Sequence, residues 1–468
     1  MRLLSPRKCP ESTIIALFAL FAALSALAPM LVPPLAPAGF AATGSPEVPS
    51  FAERAERLGV PGGAVAYLDD GAVTRTEVFG ADGEGHPVDA ATPMLWGSVS
   101  KPVAAAVVKH LADEGTLDPA ASADSYVPDA PNVPVSALLD HTSGLGFGAG
   151  HLDVDRPDAT AMDVVGGMSG ETGESGTVGE HGYSSLGYLH LQAVIEAATG
   201  GAYADAVRAT PGLSHVGASA ADCADVPRGH RLAGPFAWAM TTGYDGAGAA
   251  YGYSCGSIDD LAGFAVSQLG TAADVADSLA DAAPTGSPKQ FYGPGWRVTN
   301  EDDGRATVWH TGTVPGYFSA VYLDAESGDG AVVLLNASGF LHEESLAALT
   351  RSAFDEATGR TVTPVEPGGM GVIVPAVLLG VAALVLVLGW VGRRRMRPVA
   401  WILLTVVVVA AALIAAPLLM AVPLRYFWLW EPGVVVAAAA VPVAMLLAAA
   451  MATASSGRDR GRRLGWAP

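Results

Sequence analysis

Trp96-Gly97-Ser98-Val99-Ser100-Lys101-Pro102 places a serine and a lysine three positions apart where an apolar-periodic stretch begins. The spacing predicts a helix from about Ser98 to Glu114, with Val103, Val107, Val108 and Leu111 on one side and Gly115 ending it. On such a helix Ser98 and Lys101 share a face. A serine hydroxyl is a poor nucleophile until a base takes its proton, and a desolvated lysine can do so. The positive end of the helix favours the alkoxide that develops. Pro102 is tolerated only in a first helical turn, which fixes the start.

The pair alone is a weak signal. Ser5-Pro6-Arg7-Lys8 fits the same pattern inside a basic leader, where it cannot form a catalytic site. A solvated surface pair is the plain alternative reading of Ser98 and Lys101, and the surrounding sequence has to decide.

Around this stretch the chain reads as an α+β domain. Gly63 to Tyr67 and Ala72 to Phe79 are β-prone runs parted by Asp69-Asp70-Gly71, a hairpin signal. A second helical run, Leu186 to Thr199, closes at Gly200, and Tyr317 to Leu323 and Ala331 to Leu335 read as paired strands. Strands at both ends with helices between imply a sheet whose first and last strands are neighbours. Residues 144 to 182, rich in Gly, Ser, Asp and Glu, read as a mobile loop or lid.

Several segments in order resemble the serine β-lactamase-related family: class C β-lactamases, penicillin-binding proteins, D-Ala-D-Ala carboxypeptidases and related esterases. They are Trp96 to Pro102, Leu111 to Asp118, Leu138-Leu139-Asp140-His141-Thr142-Ser143-Gly144-Leu145, Tyr292 to Trp296 and His310 to Tyr317. The resemblance runs over about residues 51 to 350. It implies a β-lactamase/transpeptidase-like fold, an antiparallel sheet flanked by helices plus an all-helical region, and an acyl-enzyme mechanism.

Position by position, it implies Ser98 as nucleophile, Lys101 as its partner and Tyr183 as a sharer of the base role. The family's Tyr-x-Asn reads Tyr183-Ser184-Ser185 here, so Ser185 offers a hydroxyl where an amide is usual. His310-Thr311-Gly312 stands where β-lactamases have Lys-Thr-Gly. Its strand would line the site edge, Gly312 included, with the backbone N–H groups of Thr313 and Ser98 forming the oxyanion hole. A histidine here pairs less surely with a substrate carboxylate, which favours a peptidase or esterase over a true β-lactamase. His310 and Tyr183 also have ordinary structural readings. His141, Trp296 and Tyr317 read as packing residues.

Composition sets the surroundings. Between residues 43 and 366 there are 14 basic and 43 acidic residues, a net of −29, which argues against nucleic acid as a partner. No group of ligand-type residues has metal spacing, so neither metal nor cofactor is expected, and the partner is a small-molecule or peptide substrate. Cys223 and Cys255 form one disulfide or are two unrelated buried residues. Residues 1–42 read as a signal peptide or anchor, 43–366 as an exported domain, and 371–391, 399–422 and 433–452 as membrane spans. A basic tail, 453–468, follows. Arg393, Arg394, Arg395 and Arg397 follow the first span, and Arg458, Arg460, Arg462 and Arg463 follow the third. By the positive-inside rule these lie in the cytoplasm, giving a multi-pass cell-membrane protein with its domain outside. Anchoring is the expected role of the spans. A catalytically weak binding module, or a sensor domain on functional spans, are the rival readings.

Overall fold

The computed structural model describes residues 49–168, 176–234, 236–277, 283–393, 396–415, 417–418 and 422–463. The leader, Arg394 and Arg395 lie outside the described residues, as do part of the 144–182 segment and the side chains of the terminal arginines.

Eight antiparallel strands form the main sheet: β1 (Gly62–Asp69), β2 (Ala72–Gly80), β3 (Ala283–Pro284), β4 (Gln290–Gly293), β5 (Trp296–Asn300), β6 (Ala306–Val314), β7 (Tyr317–Asp324) and β8 (Gly330–Leu335). Their spatial order is β2-β1-β8-β7-β6-β5-β4-β3, so the first and last long runs are neighbours, with Gly63 opposite Leu335. The hairpin between β1 and β2 turns on Asp70 (φ 48°) and Gly71 (φ 74°). Two successive positive φ angles match the right-handed twist of the flanking strands.

The central strands are apolar at almost every position because both faces are covered. Ala64, Ala66 and Leu68 of β1 enter one core with Val332 and Leu334 of β8. Val65 and Tyr67 enter the opposite core with Phe318, Val333 and Leu335. That second core is closed by α1 (Phe51–Arg57) and, later in the chain, Glu343–Ala357. Helix α1 starts at a reciprocal cap between Ser50 and Glu53, and Arg54 pairs with Glu356 at 2.8 Å.

The first core holds the helices that build the site: α2 (Ser100–Asp113) and α3 (Ser185–Thr199), with Glu343–Ala357 numbered α4. α2 begins two residues later than the spacing predicts, because Gly97–Val99 forms a tighter 3₁₀ turn first. α3 ends at Gly200 with φ 64°, the left-handed exit a glycine permits.

The expectation of a mobile loop or lid over 144–182 is corrected at Ala161–Gly167, which is helical. Its first N–H groups are satisfied from elsewhere: the Glu196 carboxylate accepts from Met162 at 3.1 Å, while Thr160 caps Asp163. A cap supplied from α3 leaves little local signal. Cys223 and Cys255 are bonded, with their Cα atoms 5.9 Å apart.

Three further helices are long and apolar enough to cross a membrane: Met370–Gly392 (α5), Pro398–Ala415, whose regular part Pro398–Ala410 is α6, and Pro432–Ser455. The third belongs to a helix running Pro432–Arg463 (α8). Gly389 of α5 sits where an added Cβ would lie 2.4 Å from Ala448 Cβ of α8, the close backbone approach that small residues allow. Between the second and third of these apolar helices lies a short helix, Leu424–Trp430 (α7), bracketed by Pro423 and Pro432.

The disulfide closes a loop of sequence separation 32, worth about 3–4 kcal/mol on chain-entropy grounds. Replacing both cysteines by serine therefore lowers Tm in thermal unfolding followed by circular dichroism. Identical melting with and without the bond would show that it contributes nothing.

Candidate active site

The segment around Ser98 is held from two sides. Met94–Leu95 pairs with Cys255–Gly256, and Trp96 donates its backbone N–H to Ser254 at 2.8 Å and its Nε1–H to the Gly256 carbonyl at 3.2 Å. The Ser100 hydroxyl accepts from the Ser254 N–H at 3.0 Å. From the sheet, the Ser319 hydroxyl donates to the Trp96 carbonyl. Gly97 turns the chain with φ 53°, so that Ser98 stands in the turn at the head of α2, partly exposed.

Two glycines let this turn lie directly against β6. A Cβ on Gly97 would fall 2.4 Å from the Thr313 nitrogen, and one on Gly312 would fall 2.1 Å from the Trp96 oxygen and 2.8 Å from the Ser98 nitrogen. The Ser98 and Thr313 amides therefore border one small space. β5 pairs with β6 only as far as Arg297 opposite Trp309, so among the described residues His310 to Val314 lack a strand partner on that side. The site edge is an open strand.

Lys101 is fully buried, and its Nζ lies 2.9 Å from Ser98 Oγ, 3.1 Å from Ser185 Oγ and 2.9 Å from the Tyr251 carbonyl oxygen. The Tyr251 carbonyl comes from a single π-helical turn, Ala249–Tyr253. Burial, helped by the nearby Arg297 charge and opposed by Asp153, holds the amine well below the usual lysine pKa. A neutral amine fits these contacts. Its two N–H bonds reach Ser185 and Tyr251, and its lone pair is left for the Ser98 hydroxyl. Ser185 thus reaches Lys101 without the amide.

Tyr183 stands beside Ser98, which acts on its phenol, and Lys101 Nζ lies 4.9 Å from its ring centroid. Burial pushes its phenol up to about 12, with the Arg297 charge and Ser98 acting against it. Its place is set by the following residue: the Ser184 N–H donates to His141 Nδ1 at 3.1 Å, and the Ser184 hydroxyl caps α3 by accepting from Gly187 at 2.9 Å. The His141 ring lies 4.4 Å from that of Tyr183, centroid to centroid.

His310 is almost wholly buried, and both ring nitrogens are engaged: Nδ1 is 2.7 Å from the Thr311 carbonyl oxygen and Nε2 is 3.1 Å from the Tyr292 hydroxyl. Burial, with Arg297 and Lys101 nearby, keeps it well below the ordinary histidine pKa, so it is neutral. Nδ1–H then donates to the carbonyl, and Nε2 accepts from Tyr292. Thr313 donates its hydroxyl to Glu343 at 3.2 Å.

A cavity of about 590 Å³ opens over these groups, lined by Ser98, Tyr183, Ser185, His310 and Thr313. Sequence reasoning missed three of its other walls. Arg297 lies 5.1 Å from the Tyr183 ring centroid and forms no ion pair among the described residues. Its only local sign is one basic residue in an apolar strand. Glu343 begins α4, and Val422, Tyr426, Phe427, Trp430 and Glu431 come from the segment between the second and third of the long apolar helices. No groups of His, Cys, Asp or Glu among the described residues could hold a metal ion.

Comparison with known proteins supports the same family. The fold resembles an octameric penicillin-binding protein homologue from Pyrococcus abyssi, at TM-score 0.56 and 20% identity over 70% of this chain and 79% of that one. It resembles a D-amino acid amidase from Ochrobactrum anthropi SV3, at TM-score 0.51 and 23% identity over 62% and 89%. A D-alanine carboxypeptidase AmpC from Burkholderia cenocepacia aligns at TM-score 0.51 and 17% identity over 66% and 96%. None of the curated proteins matches the chain in sequence. The family model described as Beta-lactamase matches residues 50–353, more than half of the chain, and the protein belongs to that family of serine hydrolases.

Proposed function

We propose that the protein is a membrane-anchored, extracytoplasmic serine hydrolase that works through an acyl-enzyme on Ser98. The observation that carries this is the buried Lys101 amine, 2.9 Å from the Ser98 hydroxyl. Lys101 takes the proton as Ser98 Oγ attacks the substrate carbonyl, and the Ser98 and Thr313 N–H groups hold the oxyanion. Tyr183, beside Ser98 and protonated throughout, passes the proton on to the leaving group. Water then releases the acyl group by the reverse route. The high phenol pKa makes Lys101, not a tyrosinate, the base.

Substrate choice follows from charge. Arg297 forms no ion pair among the described residues and stands on the wall beside Tyr183, while His310 is neutral and occupied on both nitrogens. A substrate carboxylate would therefore meet Arg297 and not His310. This favours a peptide with a free C-terminal carboxylate over an uncharged ester. Residues 43–366 form the hydrolase domain in this reading, and the arginines after the first and third spans set its orientation. The rival binding-module reading rests on the serine at 185, but Ser185 Oγ already holds the Lys101 amine at 3.1 Å.

Incubation with a panel of esters, β-lactams and D-Ala-D-Ala peptides, followed by intact-mass analysis, leaves an adduct that maps to Ser98 and is lost in Ser98→Ala. A folded native chain that forms no adduct with any of them would favour the binding module.

Acylation needs the free amine. Since the Lys101 pKa lies below the usual lysine value, the amine stays unprotonated to lower pH than an exposed lysine. The rate falls as pH drops through that pKa, by about tenfold per pH unit in the limit. Lys101→Arg, protonated throughout, abolishes the burst of acylation in stopped-flow measurements. A flat acidic limb would exclude Lys101 as base.

Arg297→Ala raises KM for a D-Ala-D-Ala peptide by about tenfold or more. It does so far less for the C-terminal amide of the same peptide. An equal effect on both would remove the carboxylate from the argument.

A further inference from the structure

The segment 422–431 between the second and third spans does more than connect them. Its helix α7 is fixed to the catalytic domain on both sides of the cleft. On one rim the Arg425 guanidinium donates to the carbonyls of Ala149, Gly150, Leu152 and Asp153 at 2.7–3.2 Å. The buried Asp153 carboxylate also accepts from the Tyr426 hydroxyl at 2.7 Å and from Trp430 Nε1–H at 3.2 Å. On the other rim Arg231 Nε donates to the Leu429 carbonyl at 3.0 Å, and the Glu431 carboxylate accepts from the Leu341 N–H at 2.9 Å. Directional bonds at both ends hold the helix in one orientation.

That orientation turns Val422, Phe427 and Trp430 into the cavity that contains Ser98. Opposite them, at the cavity's mouth, stand Phe147 and Phe340, which are 46% and 63% exposed. Large apolar rings left open around one opening mark a surface made to be covered. The cleft is therefore two-ended. Arg297 and Glu343 give a charged end, and Val422, Phe427 and Trp430 give an apolar end in the segment that leads into the third apolar helix at Pro432.

We propose that segment 422–431 is the specificity-determining wall of the cleft, and that the enzyme acts on amphiphilic acyl compounds whose apolar group lies against Phe427 and Trp430 at the membrane surface. The proposal rests on the hydrolase reading above and narrows its substrate class. It also changes what the spans are for. They carry part of the binding site and are not a removable anchor.

The test uses the full chain in lipid nanodiscs and two fluorophosphonates, one with an ethyl and one with a dodecyl chain. In the reaction the Ser98 Oγ–P bond forms, the P–F bond breaks, fluoride leaves and the hydroxyl proton passes to Lys101. Intact-mass analysis over time gives the ratio of the dodecyl to the ethyl rate. Partition of the probes into the lipid is common to all variants and cancels when ratios are compared.

Phe427→Ala lowers that ratio by about tenfold, since the chain loses apolar surface to lie against. Phe427→Tyr, which keeps the ring and sets a hydroxyl at the apolar end, lowers it by a smaller step and covers the case in which the alanine variant does not fold. Val387→Ala, on the outer face of the first span, keeps the native ratio. A ratio that is the same in the native chain and in both Phe427 variants overturns the proposal while leaving the hydrolase reading intact. Absence of any Ser98 adduct in the native chain overturns both.

Discussion

One buried amine organises this molecule. Lys101 sits in the first turn of α2 with no exposed surface, and its Nζ touches the Ser98 hydroxyl, α3 through Ser185, and the Tyr251 carbonyl. Putting a lysine there is costly unless it gives up its charge. In the proposed mechanism, giving it up is also what makes it a base. The position of every element around Ser98 can be read as keeping that amine dry and its lone pair directed at one hydroxyl. The helical layer excludes water from one side, and β6 seals the other.

The sealing depends on glycine for a steric reason. Where the nucleophile turn meets β6, backbone lies against backbone, and neither Gly97 nor Gly312 has room for a methyl group. Two amides can converge only across such a contact. Farther out, side chains of opposite character divide the cleft: Tyr183, His310 and Tyr292 form a neutral aromatic floor beside the Arg297 charge. A cation facing neutral rings in a poorly hydrated space keeps its attraction for an anion better than one already paired.

Much of this was legible in the residues themselves. The serine–lysine spacing, the Asp70-Gly71 hairpin and the Gly200 helix end are local signals, each governed by a few adjacent residues. So is the paired-strand pattern after Gly316. What could not be read locally is what distant segments supply. Glu196 caps a helix in the stretch expected to be a mobile loop or lid, and Arg297 meets Tyr183 from a segment far away in the chain. His310 gave a mixed signal. Its position suggested a substrate contact, but Thr311 and Tyr292 already occupy both its nitrogens. The wall from the membrane segment was the least legible part. Arg425 to Glu431 looks like a polar–aromatic connector until Asp153 and Leu341 are seen to hold it.

The sheet order has a bearing on how the chain is made. Because β1 lies between β2 and β8, a ribosome must deliver nearly the whole catalytic domain before its earliest strand finds its second neighbour. Contacts this far apart in sequence form late and slowly. The nascent hairpin meanwhile offers an unpaired apolar edge, which invites aggregation or chaperone binding. The cleft itself is finished later still, when the chain has been made past Trp430 and α7 can dock.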